Sequence, residues 1–140
     1  RYKMYINIKN SHDIEKVSLH DAFFENIVYN NSEKTVSIDF KSEWADKDER
    51  VIFNDVLYYE MVCCDFWGGG YNVICWTILD TTVIFDKLLR LENVEKARSY
   101  SSEPSNYRNM DLHEYFGIEI LVNSGDRFKI ICKSINISAI

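Results

Sequence analysis

A strict two-residue alternation of apolar and polar side chains constrains the fold of this chain more than any other feature of its sequence. Between Thr35 and Lys41 every second residue is apolar, and these residues are Val36, Ile38 and Phe40. Successive side chains of a β-strand point to opposite faces, so the pattern predicts a strand with one buried face and one face in water. A chain with such a strand must supply further strands to complete a sheet.

A second alternating pattern lies near the C-terminal end of the sequence. The segments Phe116–Val122 and Arg127–Lys133 flank a short run of turn residues, and together they predict a β-hairpin. Ile135 and Ile137 continue the alternation at odd-numbered positions, whereas the alternating apolar residues of Arg127–Lys133 have even numbers. This change of parity predicts a bulge or turn near Ser134.

Four further segments are rich in β-branched and aromatic residues, and each is predicted to form a strand. They are Tyr2–Ile8, Ala22–Tyr29, Val51–Cys64 and Asn72–Leu79. Asn54–Asp55 interrupts the third segment, which predicts a bend or bulge at that point. The fourth segment is apolar on both faces, which is typical of a central strand.

One segment has helical rather than strand periodicity. In Val83–Arg98 the apolar residues recur every three or four positions, at Ile84, Leu88, Leu91, Val94 and Ala97. Because the other segments favour strands, the sequence predicts an α+β, mainly β fold for residues 1–140 as a single domain. The expected architecture is an antiparallel sheet or a sandwich-like β domain with one principal helix at about residues 83–98.

The acidic charge of the chain narrows the classes of partner. There are 22 Asp and Glu residues against 16 Lys and Arg residues, for a formal net charge of −6. Nucleic-acid binding requires a basic face, so we expect no nucleic-acid partner, whereas a basic protein partner suits this charge. The sequence has neither a signal peptide nor an apolar run of membrane-spanning length, and we therefore expect a cytoplasmic protein with no membrane partner.

The four cysteines do not have the spacing of a metal site. Cys63, Cys64, Cys75 and Cys132 lie in apolar segments without a CxxC pair, and the three histidines are widely separated. We therefore expect buried free thiols, no metal and no cofactor. No group of residues has the pattern of a catalytic centre, so no catalytic residue is predicted.

The loop at residues 65–71 is the strongest candidate for partner binding. Three consecutive glycines there follow Trp67, a large flat side chain of the kind that anchors protein interfaces. The alternative is a hairpin turn whose Trp67 folds over the core. The predicted partner-binding residues are Asp65, Trp67, Tyr71 and Trp44, with Asp46, Asp48 and Glu49 at the rim.

His20 and Asp21 form a second, polar candidate site. An imidazole can transfer a proton or bind a metal ion, and a neighbouring carboxylate can orient it. However, adjacent side chains on a strand point apart. The alternative role is a turn before the following strand, in which either side chain caps backbone groups.

Two short motifs resemble a known group of domains. Leu19–Ala22 stands just before an Ile- and Val-rich segment, and Ser124–Asp126 leads into the final hairpin strand Phe128–Lys133. The pattern is similar to small uncharacterised bacterial β-rich domains, some of which are grouped with immunity proteins of polymorphic toxin systems. This resemblance implies a cytosolic, non-enzymatic protein that binds and blocks a toxin, and it implies no catalytic residues.

The sequence thus favours a non-enzymatic binding protein, in the form of an immunity-like inhibitor that occludes a bacterial toxin. The alternative is a small-molecule-binding domain or an accessory domain of a larger assembly. An unpaired edge strand would also allow the chain to form a homodimer.

Overall fold

A computed structural model of the chain describes residues 3–42, 48–61, 72–80 and 111–140, together with residues 82, 83, 86, 89 and 90. Within these residues there are nine strands and two 3₁₀ segments, Ile8–Lys16 and Leu112–Glu114. The strands are β1 (Lys3–Asn7), β2 (Phe23–Asn30), β3 (Thr35–Lys41), β4 (Glu49–Asn54), β5 (Tyr58–Glu60), β6 (Val73–Ile78), β7 (Phe116–Val122), β8 (Arg127–Cys132) and β9 (Ser134–Ala139).

The strands form two antiparallel sheets. The first sheet has the order β1-β9-β4-β3-β2, and the second has the order β5-β8-β7-β6. Every strand pair within them is antiparallel. The fold is therefore α+β and mainly β, as the sequence predicts.

One bent pair of strands belongs to both sheets. β4 pairs with β9 in the first sheet, and their continuations β5 and β8 pair with each other in the second. The bend falls at residues 55–57 of one strand and at Lys133 of the other, where the Lys133 N–H donates to the Asn54 carbonyl at 3.1 Å. Asp55 takes a positive φ of 51° at this corner. Both predicted interruptions of the alternation are therefore places where the chain changes sheet.

β2 crosses the second sheet rather than running along it. Phe23 bridges to Asn72 beside β6, and the Phe24 ring stacks on Phe128 of β8 with the ring centroids 5.1 Å apart. Farther along β2, the Tyr29 ring contacts Tyr59 of β5. The contacts thus follow the strand order of the second sheet. Corners made by strands that switch sheets at bends are typical of orthogonally packed sheets.

The core lies between the inner faces of the two sheets. The first sheet contributes the apolar residues of its alternating strands, and the second contributes those of β6, β7 and β8. The largest fully buried aromatic side chains are Phe40, Phe53, Phe116 and Phe128. A smaller apolar cluster around Tyr115 and Ile131 lies on the opposite, outer face of the second sheet.

The described residues confirm the helix at its start. Thr82, Val83, Asp86, Leu89 and Arg90 have helical backbone, and the rest of the predicted range lies outside the described residues. None of the helices in the described residues has the length and apolar character needed to cross a membrane.

The prediction of a central strand at Asn72–Leu79 is wrong. Among the described strands, β6 lies at the end of the second sheet, and Ile74, Cys75 and Thr77 are exposed. A bulge between Val73 and Cys75 shifts the register there. The apolar run therefore reflects one buried face and an exposed apolar edge, rather than burial on both faces.

Candidate interaction surface

Most of the predicted partner-binding residues lie outside the described part of the chain. Trp44 and Asp46 fall between residues 42 and 48, whereas Asp65, Trp67 and Tyr71 fall between residues 61 and 72. The two remaining residues, Asp48 and Glu49, are half-buried at the start of β4. The carbonyl of Asp48 accepts the Ile140 N–H at 3.0 Å, and Glu49 pairs with Phe40 and Ala139 in the first sheet. The backbone of both residues therefore belongs to the sheet.

His20 and Asp21 meet in a turn just before β2. Nδ1 of His20 lies 3.0 Å from the carbonyl oxygen of Ile74, and Nε2 lies 3.5 Å from Oδ2 of Asp21. A carbonyl oxygen only accepts, so Nδ1 carries the proton of this bond. Asp21 has a positive φ of 65°, and its N–H donates to Val73 at 2.9 Å. Because the two residues lie in a turn, their side chains contact each other. The contacts with the Ile74 and Val73 carbonyls connect this turn to β6.

The cysteines that the structure describes differ in exposure. Cys132 is fully buried, and burial raises the pKa of its thiol far above the ordinary value, so it stays protonated. Cys75 is exposed on β6, which corrects the expectation of a buried thiol at this position. Among the described residues, no three His, Cys, Asp or Glu side chains cluster as metal ligands.

β2 carries the longest run of consecutive exposed large apolar side chains in the described part of the molecule. Three consecutive residues are exposed: Ile27 at 41%, Val28 at 48% and Tyr29 at 37%. The segment Asn26–Asn30 contains no charged residue and no proline, the residues that commonly protect sheet edges. We call the side of Asn26–Asn30 that faces away from β3 the β2 edge.

In the first sheet, hydrogen-bonded residue pairs alternate with non-hydrogen-bonded pairs. This alternation determines which backbone groups the β2 edge presents. The Ile140–Asp48 bond shows that the even-numbered residues of β4 exchange hydrogen bonds with β9. The odd-numbered residues of β4 therefore bond to β3, and the odd-numbered residues of β3 bond to β2. Since Ser37 pairs with Val28, the N–H and C=O of Val28 point into the sheet, whereas those of Ile27 and Tyr29 point outward.

Two local features limit the length of the β2 edge. A bulge at Glu25, between Phe24 and Asn26, separates it from the first part of the strand, which bends toward β6. A turn at residues 31–34 ends it, and there the Tyr29 hydroxyl and the Lys34 ammonium both donate to Oδ1 of Asn31. The edge is thus a five-residue extended segment held at both ends.

The side chains of the β2 edge lie on both faces of the first sheet. Ile27 and Tyr29 pair with the buried residues Ile38 and Val36, so they point toward the second sheet. They remain partly exposed because they lie at the margin of the core, where the Tyr29 ring rests 4.7 Å from the Tyr59 ring, centroid to centroid. Val28 points to the outer face.

Two ion pairs lie beside the β2 edge within the first sheet. Glu25 forms an ion pair with Lys41 at 3.5 Å. Asp39, beside Asn26, accepts two hydrogen bonds from Arg50 at 2.8 and 3.1 Å, and these bonds hold the pKa of the Asp39 carboxyl below its usual range. The edge itself, Asn26–Asn30, has no charged side chain. The groups that it presents are therefore apolar side chains and backbone hydrogen-bonding groups.

Ile27, Val28 and Tyr29 are not among the predicted site residues, although the sequence carries a signal for them. A half-buried strand buries every second residue, so three consecutive apolar residues cannot all point to one buried face. One of them at least must face outward. The deciding fact, that β2 is the last of the described strands in its sheet, requires the strand order.

Comparisons with protein-family models, with curated proteins and with solved structures find no match to this chain. Its function is therefore inferred from the geometry of the described surface.

Proposed function

We propose that this chain is a non-enzymatic protein-binding module that adds a strand of another polypeptide to the β2 edge. The observation that carries the proposal is the combination of outward-pointing backbone groups at Ile27 and Tyr29 with exposed apolar side chains at the same positions. Strand addition takes affinity from main-chain hydrogen bonds and specificity from alternate side chains. The β2 edge offers both.

An immunity-like inhibitor is the finer form of this proposal. It rests on the resemblance of the Leu19–Ala22 and Ser124–Lys133 motifs and on the net charge of −6, which would speed encounter with a basic toxin. The β2 edge has no charged side chain, so long-range attraction would come from the rest of the surface. Affinity would come from the apolar strand contact.

Capture from an extract of source cells, with the wild-type chain and Val28→Lys as paired baits, tests the proposal. The Val28 side chain lies on the outer face of the first sheet and is half exposed. We therefore expect the variant to fold and to show a wild-type circular dichroism spectrum. A lysine on the outer face at this position places a charge against any added strand. We expect the wild type to retain a polypeptide that the variant loses, and a binding titration with the purified polypeptide to show the same loss.

Tyr5→Lys is the matched control because Tyr5 is an exposed outer-face residue on β1, the other end strand of the same sheet. We expect this variant to retain the same polypeptide as the wild type. Identical retention by the wild type and by Val28→Lys would contradict the proposal.

A further inference from the structure

The register of the first sheet identifies a specific strand that fits the β2 edge. We propose that the strand is β2 of a second copy of the chain, paired antiparallel about a two-fold axis at Val28. This inference rests on the proposed function, because it takes the β2 edge as a strand-binding surface. It adds the identity of the partner and the register of the pairing.

The sequence of the edge is nearly palindromic. Residues 26–30 read Asn-Ile-Val-Tyr-Asn, with apolar residues on both sides of Val28 and an asparagine at each end. Antiparallel pairing about Val28 sets Ile27 opposite Tyr29 of the second copy, and it sets each Asn26 opposite an Asn30. Pairs of an aromatic and a β-branched residue are among the favourable cross-strand contacts. Both exposed inward-facing residues thus gain an apolar neighbour.

The directions of the backbone N–H and C=O groups agree with this register. Ile27 and Tyr29 present their N–H and C=O groups at the edge, and Val28 does not. In an antiparallel ladder, hydrogen-bonded residue pairs alternate with non-hydrogen-bonded pairs. With Val28 opposite its own copy as a non-hydrogen-bonded pair, each Ile27–Tyr29 pair exchanges both of its hydrogen bonds. Every outward-pointing backbone group of Ile27 and Tyr29 then has a partner.

The two neighbouring registers fit less well. Pairing about Ile27 places Glu25, the bulged residue, opposite Tyr29. Pairing about Tyr29 places Asn31, a turn residue, opposite Ile27. Only the register about Val28 uses the whole extended segment between the bulge and the turn. It also keeps Glu25, which pairs with Lys41, away from its own copy.

A charge-exchange experiment tests both the dimer and its register. Val28 faces itself only in the proposed pairing, so Val28→Lys and Val28→Glu each place two like charges directly opposite one another. By sedimentation analysis we expect the wild type to form a dimer and each variant to dissociate about tenfold more readily. We expect an equimolar mixture of the two variants to form a one-to-one heterodimer close to wild-type affinity.

Amide hydrogen exchange gives a second readout on the same proteins. At dimer concentrations we expect the Ile27 and Tyr29 amides to be protected in the wild type and to exchange freely in Val28→Lys. The Val28 amide points to β3, so we expect it to stay protected in both proteins. This internal reference separates loss of the dimer from loss of the fold.

Each result distinguishes this inference from the proposed function. A monomeric wild type overturns self-pairing, and the proposed function then stands if Val28→Lys loses a foreign polypeptide in the capture experiment. A dimer that Val28→Lys leaves intact, or a mixture that does not recover affinity, also overturns the proposed pairing. Tyr5→Lys, the outer-face control on β1, is expected to dimerise like the wild type.

Discussion

At the scale of single residues, the ion pair between Asp39 and Arg50 connects β3 to β4 on the outer face of the first sheet. Two hydrogen bonds from the guanidinium lower the pKa of the Asp39 carboxyl from its ordinary value of 3.8. A carboxyl whose pKa is lower in the folded state than in the unfolded state adds stability above the unfolded pKa. That contribution is lost as the pH falls through the folded pKa.

We therefore expect Asp39→Asn to lower the free energy of unfolding near neutral pH, and we expect its difference from the wild type to shrink below about pH 3.8. Denaturant unfolding at a series of pH values measures this difference. Glu33→Gln removes a carboxyl from the exposed turn after β2 and serves as the control. A difference between Asp39→Asn and the wild type that stays constant down to the lowest pH would contradict the role assigned to the pair.

At the scale of the elements, β2 is one strand with two environments. Its first residues bridge to Asn72 beside β6, whereas the segment after the bulge has a described strand partner only on the β3 side. Alternate residues of that segment direct their N–H groups to β3 and to the β2 edge. Neighbouring positions should therefore respond very differently to the loss of an N–H group.

Proline scanning tests this alternation. Ile27→Pro removes an N–H that points outward, and we expect it to lower the free energy of unfolding by about 1 kcal/mol or less. Val28→Pro removes an N–H that pairs with Ser37, and we expect it to cost at least about 2 kcal/mol more. Denaturant unfolding of dilute protein makes the comparison. Equal losses would contradict the assigned directions of the two N–H groups, and reversed losses would show that the Ile27 N–H, rather than the Val28 N–H, points to β3.

At the scale of the whole molecule, the bent strands and one buried indole are two of the links between the sheets. The bent strands β4–β5 and β8–β9 continue through both sheets, and the Trp76 side chain adds a side-chain link. Trp76 lies in β6 of the second sheet, and its indole N–H donates to the carbonyls of Ile14 and Val17 at 3.1 and 3.0 Å. These two residues belong to the connection between β1 and β2, the end strands of the first sheet.

We expect Trp76→Phe to lower the free energy of unfolding by about 2 kcal/mol or more, because it removes the shared donor and leaves unfilled volume in the core. Unfolding followed by circular dichroism and by tyrosine fluorescence should still give coincident transitions, since the bent strands keep the sheets together. Tyr5→Phe, at an exposed position on β1, should change stability by less than about 0.5 kcal/mol. Separate transitions for the two probes would contradict a single cooperative unit.

The sequence by itself determined the local structure of most described strands. The alternation from Thr35 to Lys41 and the hairpin of β7 and β8 were predicted correctly because period-two patterning depends only on neighbouring residues. The breaks at Asn54–Asp55 and Ser134 were also found, since a change of parity is visible along the chain. The glycine loop lies outside the described residues, so its predicted role in binding stays a prediction.

Only the tertiary structure decided which strands end a sheet and which surfaces face water. The sequence predicts strands at Ala22–Tyr29 and Asn72–Leu79 and a central position for the second, yet among the described strands β2 and β6 both end their sheets. The same apolar side chain is buried in a central strand and exposed in an end strand, because burial depends on the strand beside it and on the sheet across from it. The sequence records neither neighbour, and so the β2 edge became visible only once the order β1-β9-β4-β3-β2 was known.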